Sequence, residues 1–138
     1  MSGPEFSQLQ VGDTLPDLAI DITAKLIVGG AIASRDFQDV HHDKAAAQAL
    51  GSPDIFMNIL TSNGLVGRYI SDWAGAEARL NKVTIKLGVP NFPGDCMTFS
   101  GSIAAIEPAT GVVDVEIVGA NSIGNHVTGT VQVTLPVF

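Results

Sequence analysis

The sequence predicts an α+β fold, one antiparallel sheet wrapped around a single buried helix. Three observations support this. Residues 83–135 alternate apolar with polar or small side chains in four separate runs, residues 55–67 carry no charged group, and 138 residues suffice for one ordinary domain. Hydrophobic residues make up 46% of the chain against 15% charged, a balance that favours a packed core over disorder.

The opening Ser2-Gly3-Pro4-Glu5-Phe6 reads as a flexible lead of the kind an expression vector leaves behind. Residues 1–7 are therefore set apart from a domain over residues 8–138. Leu18-Ala19-Ile20-Asp21-Ile22 has the two-residue period of a strand with one buried face. Leu26, Val28 and Ile32 predict a second extended piece, with Gly29-Gly30 as a bend or bulge. Asp43 caps a short Ala-rich helix that runs to Leu50 and stops at Gly51. Pro53-Asp54 then opens a longer helix, along which Ile55, Ile59, Leu60, Val66, Ile70 and Trp73 recur at three- and four-residue steps. A helix apolar nearly all round is a buried one, and Trp73 through Gly75 closes it.

The second half reads as four strands. Val83, Ile85 and Leu87 alternate with lysines and Thr84. Met97, Phe99, Gly101 and Ile103 follow the turn Pro93-Gly94-Asp95. Val113, Val115 and Ile117 oppose Asp114 and Glu116, and Val127, Val131, Val133 and Leu135 form the last run. Gly-, Asn- and Pro-rich turns between them suit hairpins.

Charge and cysteine usage remove several function classes. A net charge of -7 with no Lys/Arg cluster argues against nucleic acid and against an anionic membrane surface. Cys96 is the only cysteine, so no internal disulfide forms, and the usage suits a reducing cytoplasm. The sequence shows no signal peptide and no apolar run long enough to span a bilayer.

Chemistry concentrates between Ala33 and Asp43, where two histidines and three carboxylates fall within eight residues of a loop. Asp36 and His41 together can hold and deprotonate one water. The same residues also fit a loop hydrogen bond with a helix cap, or part of a metal site, although zinc sites usually add Cys or further His at wider spacing. His42 reads as solvated or facing a partner, and His126, alternating with Val127, as facing solvent or a subunit boundary. Cys96 reads as a buried, inert thiol, and Asn63, Arg68 and Tyr69 as packing or helix-end residues first and substrate contacts second.

The order Asp36, Gln38, His41, Asp43, Ala49 resembles the signature of the MaoC-like hydratases, a hot-dog family in which the first Asp and the His are catalytic. Gln38-Asp39 stands where that family has Asn-Pro, and Met57-Asn58 where it has the His-Gly whose backbone N–H meets the thioester oxygen. The resemblance implies syn hydration of a trans-2-enoyl-CoA by Asp36 and His41, without fixing which is base and which acid. It further implies an oxyanion donor at Met57 or Asn58, and Gln38 orienting the pair or the substrate. No cofactor is expected, because the CoA thioester substrate itself acidifies its α-carbon.

Arg35 to Asp43 and Asp54 to Thr61 also resemble a narrower group, the small MaoC-like subunits of heteromeric hydratases acting on bacterial steroid side chains. That likeness implies a second MaoC-like chain, as heterodimer or heterotetramer, with a homodimer as the alternative. Two other functions stay open at this point: a non-catalytic scaffold that completes a partner's site, and a hot-dog thioesterase, although thioesterases of this fold lack the Asp-to-His loop.

Overall fold

The computed structural model describes residues 2–137; residues 1 and 138, the outer ends of the expected lead and domain, lie outside the described residues. Strands β1 (Thr14–Ile22), β2 (Arg79–Leu87), β3 (Asp95–Glu107), β4 (Val112–Ala120) and β5 (Asn125–Thr134) form one antiparallel sheet in the order β1-β3-β4-β5-β2. Helices α1 (Ala24–Ala33) and α2 (Lys44–Ala49) follow the first strand, and α3 (Ile59–Ala74) precedes the second. This is the α+β layout that the alternating runs predict.

The core joins the apolar face of the sheet to one side of α3. Met97, Phe99, Ile103, Val113, Val115, Ile117, Val127, Val131 and Val133 are all buried, as are Leu65, Val66, Tyr69, Ile70 and Ala74 of the helix. Tyr69 stacks on Phe99 with ring centroids 5.2 Å apart. Phe6 of the lead also packs on this core. Among the described residues no helix is long and apolar enough to cross a membrane.

Three local expectations are corrected. Residues 24–33 are helical, not extended. Thr23 caps them, its Oγ1 accepting the Leu26 N–H at 3.0 Å, and the buried pair is Ile27 and Ala31, four residues apart. The long helix starts at Ile59 rather than at Pro53, because Asn58 is its cap and residues 53–57 form no helical turn, with Ile55 and Met57 buried. That helix is also not buried all round: Ile59 and Leu60 are 53% and 52% exposed.

Candidate active site

The end of α1 places Asp36. Arg35 takes a left-handed conformation (φ 57°), its N–H reaching the Ile32 carbonyl at 3.0 Å while the Asp36 N–H reaches that of Ala31 at 2.8 Å. These two bonds are a Schellman motif, so the carboxylate hangs on the last turn of a helix rather than on a free loop. The Asp36 carbonyl is held as well, accepting His42 Nε2–H at 2.8 Å. His42 is therefore a half-buried brace of the loop, not the solvated residue its position suggested.

His41 ends a one-turn 3-10 helix (Asp39–His41) and is buried. Its Nδ1 lies 2.6 Å from the Phe56 carbonyl, which only accepts, so Nδ1 carries the proton. In its neutral form the ring presents a bare Nε2, 3.3 Å from Asp36 Oδ2; in its protonated form Nε2–H donates to that oxygen. Phe56 clamps the loop a second time: its N–H donates to the Val40 carbonyl at 3.2 Å, and its ring meets the imidazole edge-on.

Asn58 completes the group from the head of α3. Its Oδ1 accepts the Thr61 N–H at 3.0 Å, while Nδ2 donates to Ser34 Oγ at 2.9 Å and to Asp36 Oδ2 at 3.2 Å. The Gln38 N–H donates to Asp36 Oδ1 at 3.2 Å, and the Gln38 side chain lies at the surface. These donors hold the Asp36 carboxyl below the usual carboxylate range: the Asn58 amide first, then the Gln38 N–H, with His41 and His42 adding and desolvation opposing. The Met57 N–H is bound to the Asn91 carbonyl at 3.1 Å, and Asn91 is itself buried against the sulfurs of Met57 and Met97.

Thus Asp36, His41 and Asn58 come together, Gln38 contributes its backbone, and Met57 lies behind them. Ser34, His42, Phe56 and Asn91 support the group and were not foreseen as doing so. Only Ser34, two residues before Asp36, and His42, next to His41, carried a local signal. Among the described residues no three His, Cys, Asp or Glu side chains converge as metal ligands.

Two other expectations are corrected. His126 is buried rather than surface-facing: Nδ1–H donates to the Val89 carbonyl and Nε2 accepts from Ser62 Oγ, each at 2.7 Å. A loop and α3 cover the start of β5, which strand alternation cannot reveal. Cys96 is exposed, since it lies on the face of β3 opposite Met97.

No protein-family model matches the chain. The 3-oxo-4,17-pregnadiene-20-carboxyl-CoA hydratase beta subunit of Mycobacterium tuberculosis is 48% identical over 125 residues, 91% of this chain and 95% of that one. A chain in the crystal structure of the ChsH1–ChsH2 complex from the same organism superposes with a TM-score of 0.88 at 47% identity, covering 92% of this chain and 98% of its own length. An (R)-hydratase from A. caviae involved in PHA biosynthesis has a TM-score of 0.82 at 22% identity, covering 94% and 98% of the two chains, a likeness of fold alone. The match at 48% spans nearly the whole of both chains and agrees with the Asp-to-His frame now seen folded into one site, so the chain belongs to the MaoC-like hydratase family.

Proposed function

We propose that this chain is the catalytic subunit of a heteromeric enoyl-CoA hydratase, adding water across the trans-2 double bond of a steroid side-chain acyl-CoA. The observation that carries the reading is the 3.3 Å approach of Asp36 Oδ2 to Nε2 of His41, whose Nδ1–H is committed to the Phe56 carbonyl; with the ring neutral, both atoms are acceptors that one water bridges by donating to each.

The proton count then assigns the steps. Water oxygen attacks the β-carbon and one of its protons passes to His41 Nε2. The electron pair of the double bond moves toward the thioester oxygen, forming an enolate. The imidazolium returns that proton to the α-carbon on the same face, giving syn addition and a 3-hydroxyacyl-CoA. Asp36 accepts the other water hydrogen throughout and remains a carboxylate. With the Met57 N–H bound to Asn91, the Asn58 N–H at the head of α3 is the donor suited to the thioester oxygen. Losing one such donor costs about a hundredfold or more in rate. No cofactor enters, since the thioester stabilises the enolate.

The steroid acyl group and the second chain rest on the relatives, a 3-oxo-4,17-pregnadiene-20-carboxyl-CoA hydratase beta subunit and a ChsH1–ChsH2 complex. Exposed apolar residues on the helices and loop of this half of the chain support a partner: Ile32 on α1, Phe37 in the site loop, Leu50 after α2, and Ile59 and Leu60 on α3 are each more than half exposed.

The test is hydration followed by loss of enoyl-thioester absorbance, with and without a second MaoC-like chain, on steroid and short-chain enoyl-CoA. Asp36→Asn and His41→Ala are each expected to lose about a hundredfold or more while the complex still forms. Full activity of both variant complexes would make this chain a scaffold and move the search for the acid/base pair to its partner.

A further inference from the structure

Capping α3 requires only an oxygen from residue 58, and Ser, Thr or Asp would serve. Asn58 offers an amide as well, and its orientation is decided by the structure. The Thr61 N–H can only donate, so the atom facing it is Oδ1, and Nδ2 must face Ser34 and Asp36. Ser34 Oγ lies 2.7 Å from the Gly30 carbonyl, to which it donates its single hydrogen, leaving a lone pair for the amide. Both amide hydrogens are thereby placed, and the residue is only 2% exposed. The oxygen that receives the second hydrogen is Asp36 Oδ2, the same one that faces His41 Nε2.

The titratable groups around Asp36 are His41 and His42 of its own loop, with Arg35 next to it in the chain. At the end of α1 the neighbour is its C-cap Ser34 and at the head of α3 it is the N-cap Asn58, both uncharged. The donor from α3 is therefore a neutral amide aimed at the reactive oxygen.

We propose that the Asn58 side chain is a positioning residue for hydration: it fixes Asp36 as a permanent carboxylate acceptor for the water, so that His41 alone carries the moving proton. This rests on Asp36 and His41 being the catalytic pair. A hydrogen bond donated to the charged form of a carboxyl favours that form, and a second carboxylate in the donor's place disfavours it strongly.

Asn58→Asp separates the two duties of the residue. Aspartate caps a helix as well as asparagine does, so α3 keeps its start, while Asp36 loses a donor and gains a like charge. Asn58→Ser also keeps a cap and removes the amide without adding charge.

Both variants, assembled with the second subunit, are to be followed as kcat and KM between about pH 5 and pH 8, where a His-dependent rate changes. The Asp36 carboxyl carbon is titrated in parallel by NMR. Wild type is expected to show one titrating group on the acid side. Asn58→Asp is expected to show a second, with kcat lowered about tenfold or more at the acid end, much less at the alkaline end, and KM within about twofold. Asn58→Ser is expected to shift the same way by less.

Unchanged Asp36 titration and unchanged pH profiles in whichever variants fold would overturn the proposal. The NMR titration needs no turnover, so it separates this failure from a failure of the hydratase reading, which would instead appear as an active Asp36→Asn complex.

Discussion

A methyl group at Gly30 tests whether the packing of α1 on α3 sets the position of Asp36. In an exposed helix, Gly→Ala stabilises by about 0.5–1 kcal/mol. At Gly30 the new carbon falls 2.2 Å from Thr61 Oγ1, 2.9 Å from its Cγ2 and 3.1 Å from its Cβ. Thr61 cannot simply turn away, because its hydroxyl is bonded to Asn58 Oδ1. Overpacking of this kind costs about 1–3 kcal/mol, and breaking the Thr61–Asn58 bond costs about 1 more. The clash outweighs the propensity gain, and Gly30→Ala is expected to be destabilised by about 1–3 kcal/mol. Relief by moving α1 instead requires a shift of about 1 Å, which Asp36 follows because its N–H is tied to Ala31, and such a misplacement costs about a hundredfold in rate. Urea unfolding followed by circular dichroism and enoyl-CoA hydration of the complex measure the two effects. Adding Thr61→Ala should restore much of the stability, since two of the three clashing atoms disappear. A Gly30→Ala protein that is more stable than wild type and fully active would show that the contact is soft and that Asp36 is placed by something else.

Two further outcomes follow from buried polar groups. The Tyr69 hydroxyl is buried with no hydrogen-bond partner among the described residues, and burial first, then the Asp17 charge, push it up to about 12. Tyr69→Phe is expected to raise stability by about 1 kcal/mol, read as a higher Tm; a lower Tm would mean that the hydroxyl has a partner. Burial lowers the His126 pKa, partly offset by its bond to the Val89 carbonyl, so the unfolded chain binds the proton more readily than the folded one. The stability contributed by its neutral form is complete above the ordinary histidine value of about 6.5 and is lost as pH falls through the lowered folded value. His126→Gln should remove that portion of the acid destabilisation, and parallel stability–pH curves for the two proteins would refute it.

What the sequence revealed and what it hid divide by the range of the deciding interaction. Strands β3, β4 and β5 show themselves in alternation because one face of each is buried along most of its length. The Asp43 cap of α2 is equally local, its side chain accepting the Ala46 N–H three residues on. The α1 segment was misread because Leu26, Val28 and Ile32 suit a two-residue period and Gly29-Gly30 looks like a break. Gly30 is instead where Thr61, thirty-one positions later, comes too close for a side chain. His126 was misread for a similar reason, its partners Ser62 and Val89 being remote in sequence.

The site follows the same division. Asp36 and His41 are five positions apart, and a Schellman turn with a 3-10 turn folds that spacing into a 3.3 Å pair, both motifs being local. What tunes the pair is not local. The Phe56 carbonyl fixes which His41 nitrogen is bare, and the Asn58 amide holds the Asp36 oxygen facing it. Both come from the short non-helical segment before α3, which the helical periodicity of residues 55–73 conceals. Moving the start of α3 from Pro53 to Ile59 is therefore more than a boundary correction. Continuing the helix back through residues 56–58 would direct the Phe56 carbonyl to a helical N–H four residues on and would leave Asn58 inside the helix rather than capping it. The non-helical path of those three residues is what brings the Phe56 carbonyl to His41 Nδ1 and the Asn58 amide to Asp36 Oδ2.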